Sequence, residues 1–210
     1  MKDQSGQSMT EFLVVMPVML LLILAAIQFV LIYQTKSTLN YATFEATRAG
    51  SLENASRKAV DYGFTRGFAP LFARFSTTRK EAGDDNYANL ANKVVIARKL
   101  ARKEVAEGHV TIELINPTSQ MFQAFDNNTI PNDHLSFRLE ENGINLQEAN
   151  LLKLRITYCM KLIVPMVSSL ITTVAGGNCD TTEHRFPIMS QAIIRMQSPA
   201  IQCKASPCFD

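Results

Sequence analysis

From Phe12 to Tyr33 the chain runs for 22 residues without a charge, and almost all of them are apolar. As a helix rising about 1.5 Å per residue, such a run reaches roughly 33 Å, enough to cross the hydrocarbon of a bilayer. A buried core helix is the first alternative. It fits poorly, because a chain of 210 residues has little room to enclose so long an apolar rod at one end. A cleaved secretory signal is the second, and would show a basic start, an apolar core of about 7–15 residues and a small-x-small site. Here Lys2 is offset by Asp3, and the apolar run continues well past Ala25-Ala26. The run therefore reads as one retained membrane span, residues 12–33.

The rest of the composition narrows the classes of function. Net charge is +2, without the basic excess of a nucleic-acid-binding domain, and no nucleic-acid partner is expected. Three His (His109, His134, His184), far apart in sequence, offer little for a metal cluster or a His-based catalytic centre. All four cysteines, Cys159, Cys179, Cys203 and Cys208, lie in the last quarter of the chain. An even number beyond a membrane segment suggests disulfides in an oxidising compartment, which places that side outside the cytoplasm. Flanking charges do not set the orientation, since Lys2 and Asp3 stand against Lys36, Glu45 and Arg48. Free thiols remain an alternative. Zinc is less suited, because Cys203 and Cys208 form a lone C-x₄-C pair with no second close pair or neighbouring His. Loop length alone favours the pairings Cys159–Cys179 and Cys203–Cys208.

Beyond the span, Leu39, Ala42, Thr43, Ala46 and Ala49 continue a helical i, i+3, i+4, i+7 pattern towards Gly50, a candidate stop. The small residues Ala42, Ala46 and Ala49 favour close packing on another helix. A second helical stretch from Glu53 to Phe75 is expected to break near Gly67 and Pro70, with a loop over 76–86. Tyr87 to Glu107 reads as an amphipathic helix with Tyr87, Leu90, Ala91, Val94, Ala97, Ala101 and Val105 on its apolar side. Asp85 or Asn86 is its candidate N-cap and Gly108 its stop. The cations Arg98, Lys99, Arg102 and Lys103 suit a solvated face near a helix C-terminus. Residues 117–150 read as loop, with turn signals at Asn127-Asn128, Pro131-Asn132 and Asn142-Gly143.

Three strands show period-two alternation. They are Val110-Ile112-Leu114, then Leu152-Leu154-Ile156-Tyr158-Met160-Leu162, then Ile188-Ala192-Ile194-Met196. One apolar and one polar face per strand predict an antiparallel sheet packed on helices. The expected fold class is α+β: a long N-terminal transmembrane and assembly helix, further helices, then a small antiparallel sheet.

The most specific motif lies at the start. A short polar leader ends Ser5-Gly6, followed by Gln7-Ser8-Met9-Thr10-Glu11-Phe12 and the apolar run. Gly6 suits a protease that needs an open, extended backbone. Glu11 needs a reason, since a carboxylate at the centre of a membrane helix costs about 2.5–3.5 kcal/mol on insertion scales. Gly6-Gln7, then Glu11-Phe12-Leu13-Val14-Val15-Met16-Pro17 and the following apolar residues, resemble the TadE-like pseudopilins of tight-adherence (Tad/Flp) pilus systems. Ala42-Thr43-Phe44-Glu45-Ala46-Thr47-Arg48-Ala49-Gly50 is similar to their alanine-rich segment. Leu154 to Tyr158 with Pro165, and Ala192 to Arg195, are similar to their closing strands.

The resemblance implies a structural protein of the inner membrane, with no catalytic residue, no cofactor and no metal. It implies cleavage between Gly6 and Gln7 by a prepilin peptidase, with Glu11, Phe12 and Pro17 serving assembly and Ala42, Ala46 and Ala49 serving helix packing. The division that follows is a leader at 1–6, the membrane and assembly helix at 7–50 and an extracytoplasmic α+β head at 51–210. The N-terminus would be cytoplasmic and the head periplasmic, with incorporation into an extracellular pilus open. Implied partners are the inner membrane, the peptidase, other minor pilins, the major Flp-type pilin and the pilus assembly platform. The rival reading is a bitopic inner-membrane protein whose extracytoplasmic domain binds a ligand or envelope partner. Enzymatic readings lack support: Ser168-Ser169 has no G-x-S-x-G setting, and Gly176-Gly177 leads to no P-loop Lys.

Overall fold

The computed structural model describes residues 7–73, 87–125, 128–132, 140–141, 143–164, 167–175, 179, 185–203 and 209. It opens with α1 (Gln7–Leu52), a single helix of 46 residues that continues through Pro17. Two helices follow, α2 (Arg57–Phe72) and α3 (Tyr87–Ala106). Then come β1 (Val110–Asn116), α4 (Ser119–Ala124), β2 (Thr129–Ile130), β3 (Glu140–Glu141), β4 (Ile144–Asn145) and α5 (Leu146–Ala149). The order closes with β5 (Leu151–Lys161), α6 (Val167–Ala175), β6 (Arg185–Arg195) and β7 (Ala200–Ile201). The expected α+β order of a long apolar helix, further helices and a small antiparallel sheet is the one observed.

The sheet has the order β1-β5-β6. β1 pairs antiparallel with β5, with Val110 opposite Tyr158 and Ile112 opposite Ile156. β5 and β6 run opposite ways, because Met196 N donates to Asn150 O (2.8 Å) at one end and Arg185 Nη1 donates to Cys159 O (3.0 Å) at the other. The alternation read from β5 is reproduced residue by residue: Leu152, Leu154, Ile156, Tyr158 and Met160 are buried, and the residues between them are not. In β6 the same face holds Ile188 and Ser190, then loosens at Ala192 and Ile194.

The chain divides into two compact units. One comprises residues 1–35 and 159–187, the other 36–158 and 188–210. In the second, an aromatic stack from α2 forms the centre of the core. Phe64 and Phe68 lie 4.9 Å apart, and Phe68 meets Phe72 and Tyr158 edge-on at 5.5 and 4.9 Å. Phe64 and Phe68 are completely buried, together with Leu39, Val60, Leu152, Leu154 and Ile156.

Several expectations about boundaries are corrected. Gly50 does not stop α1, which runs on to Leu52. Its role is steric: a Cβ there would lie 2.7 Å from Val60 Cγ2 and 3.0 Å from Leu152 Cδ2. The chain turns instead at Asn54 and Ala55, whose φ angles are 56° and 57°. Gly67 does not break α2 either, and Pro70 falls in its last turn. On α3, Ala97 and Ala101 are buried, but Val94 is 43% exposed. The expected caps Asp85 and Asn86 lie outside the described residues. Gly108 does end α3, with φ of 78°. His109 N bonds Glu104 O and Gly108 N bonds Val105 O, the pair that closes a Schellman turn.

Residues 117–150 are not simply loop. Short elements form wherever local caps are available: the Thr118 side chain accepts from Met121 N at the start of α4, and Asn145 accepts from Gln147 N at the start of α5. Asn128 and Gly143 take the left-handed conformation of turns, whereas Pro131-Asn132 forms no turn. Asn127 and Asn142 lie outside the described residues.

The end of α1 is closed from far along the sequence. Ser51 O accepts from Gln197 N (2.9 Å), Ser198 N (3.2 Å) and Ser198 Oγ (3.1 Å). Asn54 adds bonds to Ser198 Oγ and Pro199 O. Carbonyls at a helix end have no partner within the helix, and these contacts supply one.

Candidate membrane and assembly segment

The first part of α1 presents its apolar side chains outward. Phe12 is 63% exposed, Leu13 69%, Val18 57% and Phe29 63%. Among the described residues α1 is the one helix long and apolar enough to cross a membrane, with a mean hydropathy of 2.8 over its most apolar window, of which 6% is buried. Surfaces of this kind are tolerated where lipid or another apolar surface is the solvent.

Glu11 stands exposed at the mouth of this surface, and the next charged residue along the helix is Lys36. Lys36 Nζ donates to the backbone carbonyl of Met189. Phe12 and Pro17 lie on the exposed apolar surface, and Pro17 removes the N–H that would have bonded the Leu13 carbonyl. Gln7 begins the helix, while Gly6 lies outside the described residues.

From Leu21 onward one stripe of α1 turns inward at helical spacing, through Gln28, Thr35, Leu39, Ala42, Ala46 and Gly50. Its threonines hide their hydroxyls within the helix: Thr35 Oγ1 donates to Leu31 O, Thr43 Oγ1 to Leu39 O and Thr47 Oγ1 to Thr43 O. Ala42 and Ala46 are fully buried and Ala49 is half-buried. The helix they pack on is α2 of the same chain. A Cβ at Gly63 would fall 2.7 Å from Glu45 O and 2.8 Å from Ala49 Cβ, and one at Gly67 would fall 2.7 Å from Ala42 Cα. Gly63 escaped the sequence reading and Gly67 was expected to break the helix, although their small-xxx-small spacing matches that of Ala42 and Ala46. Gln28 escaped it too, and as the only carboxamide in the uncharged run it was the residue to notice.

Cys159 and Cys179 form a disulfide with their Cα atoms 5.9 Å apart. Cys203 is also disulfide-bonded. Its expected partner, Cys208, lies outside the described residues, as does Pro165.

Residues 6–48 match the family model of TadE-like proteins. Over that segment the chain is similar to TadE-like proteins. The matched stretch begins at Gly6, contains Glu11 and Pro17, and ends within the alanine-rich part of α1, before α2. No curated protein and no solved structure was found to match. The TadE-like match and the exposed apolar helix fit a pseudopilin of Tad pilus systems, a structural class of protein, held by a single pass through a membrane.

Proposed function

We propose that this protein is a minor pilin or pseudopilin that takes part in assembling or initiating a Tad/Flp adhesion pilus. A prepilin peptidase cuts between Gly6 and Gln7, and α1 holds the product in the inner membrane with its head on the periplasmic side. Other minor pilins, the major Flp-type pilin and the assembly platform are its partners, and it enters the filament or primes it. The observation that carries this reading is the TadE-like match over residues 6–48, which sets Gly6 at its first position and Glu11 at the edge of an exposed apolar helix.

Glu11 has a physical task in this scheme. When α1 leaves lipid for the apolar centre of a filament, a carboxylate is tolerated only with a compensating cation. The new amine of Gln7 in a neighbouring subunit supplies it. An intrachain contact is the competing arrangement, since Gln7 lies four residues and about 6 Å along the axis from Glu11.

The test is N-terminal sequencing and intact mass of membrane-extracted protein from cells with an active prepilin peptidase. Wild type should begin at Gln7 and Gly6→Val should remain uncut. A wild-type chain that keeps Met1 would overturn the proposal and favour a simple membrane anchor with a binding domain. Glu11→Ala and Glu11→Gln should be cut and inserted but assemble poorly. Normal piliation from both would reduce Glu11 to an interfacial residue.

A further inference from the structure

Residues 159–187 belong to the same compact unit as residues 1–35. The link is Gln28. Its side chain is fully buried, and its Oε1 accepts a hydrogen bond from the backbone N–H of Val164 at 3.0 Å. Gln28 lies five residues inside the end of the uncharged run at Tyr33, about 7.5 Å along the helix. A backbone group bonded to it lies at that same depth.

The chain around Val164 has the chemistry for such a position. From Leu162 to Cys179 it carries no charged residue. It is too short to cross a bilayer and return, since α6 has nine residues and rises about 13.5 Å. An apolar run of this length suits a re-entrant or interfacial segment. Two of its polar groups are bonded within the protein: Val164 N to Gln28, and Thr173 Oγ1 to Ser169 O at 2.7 Å. Ile163 is 59% exposed beside the Gln28 bond. The root of the loop is closed by the Cys159–Cys179 disulfide and by the bond from Arg185 to Cys159 O.

We propose that residues 162–164 and α6 form a second, non-spanning membrane contact. In this arrangement α6 rests in the interfacial layer of the phospholipid bilayer that α1 crosses, with Ile163 dipping into the acyl region. The occupant of this surface is lipid, because the loop is bonded to α1 inside the apolar run and exposes Ile163 beside that bond. Gln28 holds the loop against the helix by satisfying a backbone N–H that lipid could not. The inference rests on the reading that α1 spans the membrane.

The chain has no Trp, so a single introduced Trp reports its own surroundings. Full-length Ile163→Trp and Ser169→Trp are reconstituted into phosphatidylethanolamine–phosphatidylglycerol vesicles with and without brominated acyl chains. Phe29→Trp serves as the reference within α1 and Tyr62→Trp, on α2, as the water-exposed reference. Circular dichroism checks that each variant is folded. Ile163→Trp should lose about half its emission to bromolipid, as Phe29→Trp does, because interfacial segments sit about 5–10 Å into the headgroup and acyl boundary. Tyr62→Trp should respond only to aqueous iodide. Bromolipid quenching at Ile163→Trp, at Ser169→Trp or at both supports the proposal. Quenching of neither overturns it, whether iodide reaches them (water) or does not (cover by protein). If Phe29→Trp is also unquenched, the spanning reading fails with it. If Phe29→Trp alone is quenched, only the second contact fails.

Discussion

Between Phe12 and Phe29 α1 turns most of its apolar side chains outward, and between Leu39 and Ser51 the same helix hides Leu39, Ala42, Thr43, Ala46, Thr47 and Ser51 completely. The outer part is built of large residues, the inner part of small ones. Large apolar side chains cover the backbone where the surroundings are fluid lipid. Small ones let a second helix come close enough for Gly63 and Gly67 to meet the α1 backbone. One continuous helix therefore changes from exposed to buried without changing its geometry, and residue size marks the change more sharply than polarity does. The alanine face is already occupied by α2. The large side chains that stay exposed at this level of α1 include Tyr41, Phe44 and Leu52.

The largest expected effect tests that contrast directly. Phe68→Ala removes the centre of the α2 aromatic stack and should destabilise the head by about 3–5 kcal/mol. Phe29→Ala, on the outer part of α1, should change stability by less than about 0.5 kcal/mol. Denaturant unfolding in detergent, followed by circular dichroism, reads both, and equal effects would break the comparison.

Cys159→Ser with Cys179→Ser comes next. Opening a loop with a sequence separation of 20 costs about 3 kcal/mol in the chain-entropy model. The same melts, with and without reductant, check it. A wild-type protein indifferent to reductant would show that the pairing contributes nothing to the unit containing the outer part of α1.

The smallest is Gly67→Ala. Its Cβ would press on Ala42 Cα, and relieving the overlap should cost about 1–3 kcal/mol. For a chain of this size each 1 kcal/mol lowers Tm by about 2–4 °C, which calorimetry resolves. An unchanged Tm would mean that the inner part of α1 packs as loosely as the outer part.

Legibility followed the range of the interactions. The apolar run, the alternation in β5 and the stop at Gly108 depend on local periodicity and local backbone geometry, and each could be read directly. Gly50 and Gly67 were misread because glycine has two uses, ending a helix and admitting a neighbour. Only the positions of Val60, Leu152 and Ala42 distinguish them. Residues 117–150 looked like loop because elements of two to six residues carry too little pattern to stand out. In the candidate site, Glu11 and Pro17 stood out as exceptions to an apolar run. The roles of Gln28 and of the alanine face depended on partners more than a hundred residues away and twenty residues away.

The bonds that close the end of α1 impose an order of events on biogenesis. Ser198 reaches Ser51 across 147 positions of sequence, and the central strand β5 gains its second neighbour only with β6. The ribosome delivers α1 first, so the helix is already available for insertion while its far end still lacks these partners. A chain interrupted before Gln197 leaves the Ser51 carbonyl without these bonds. The last turn of α1 is therefore satisfied only once residues 197 and 198 are made.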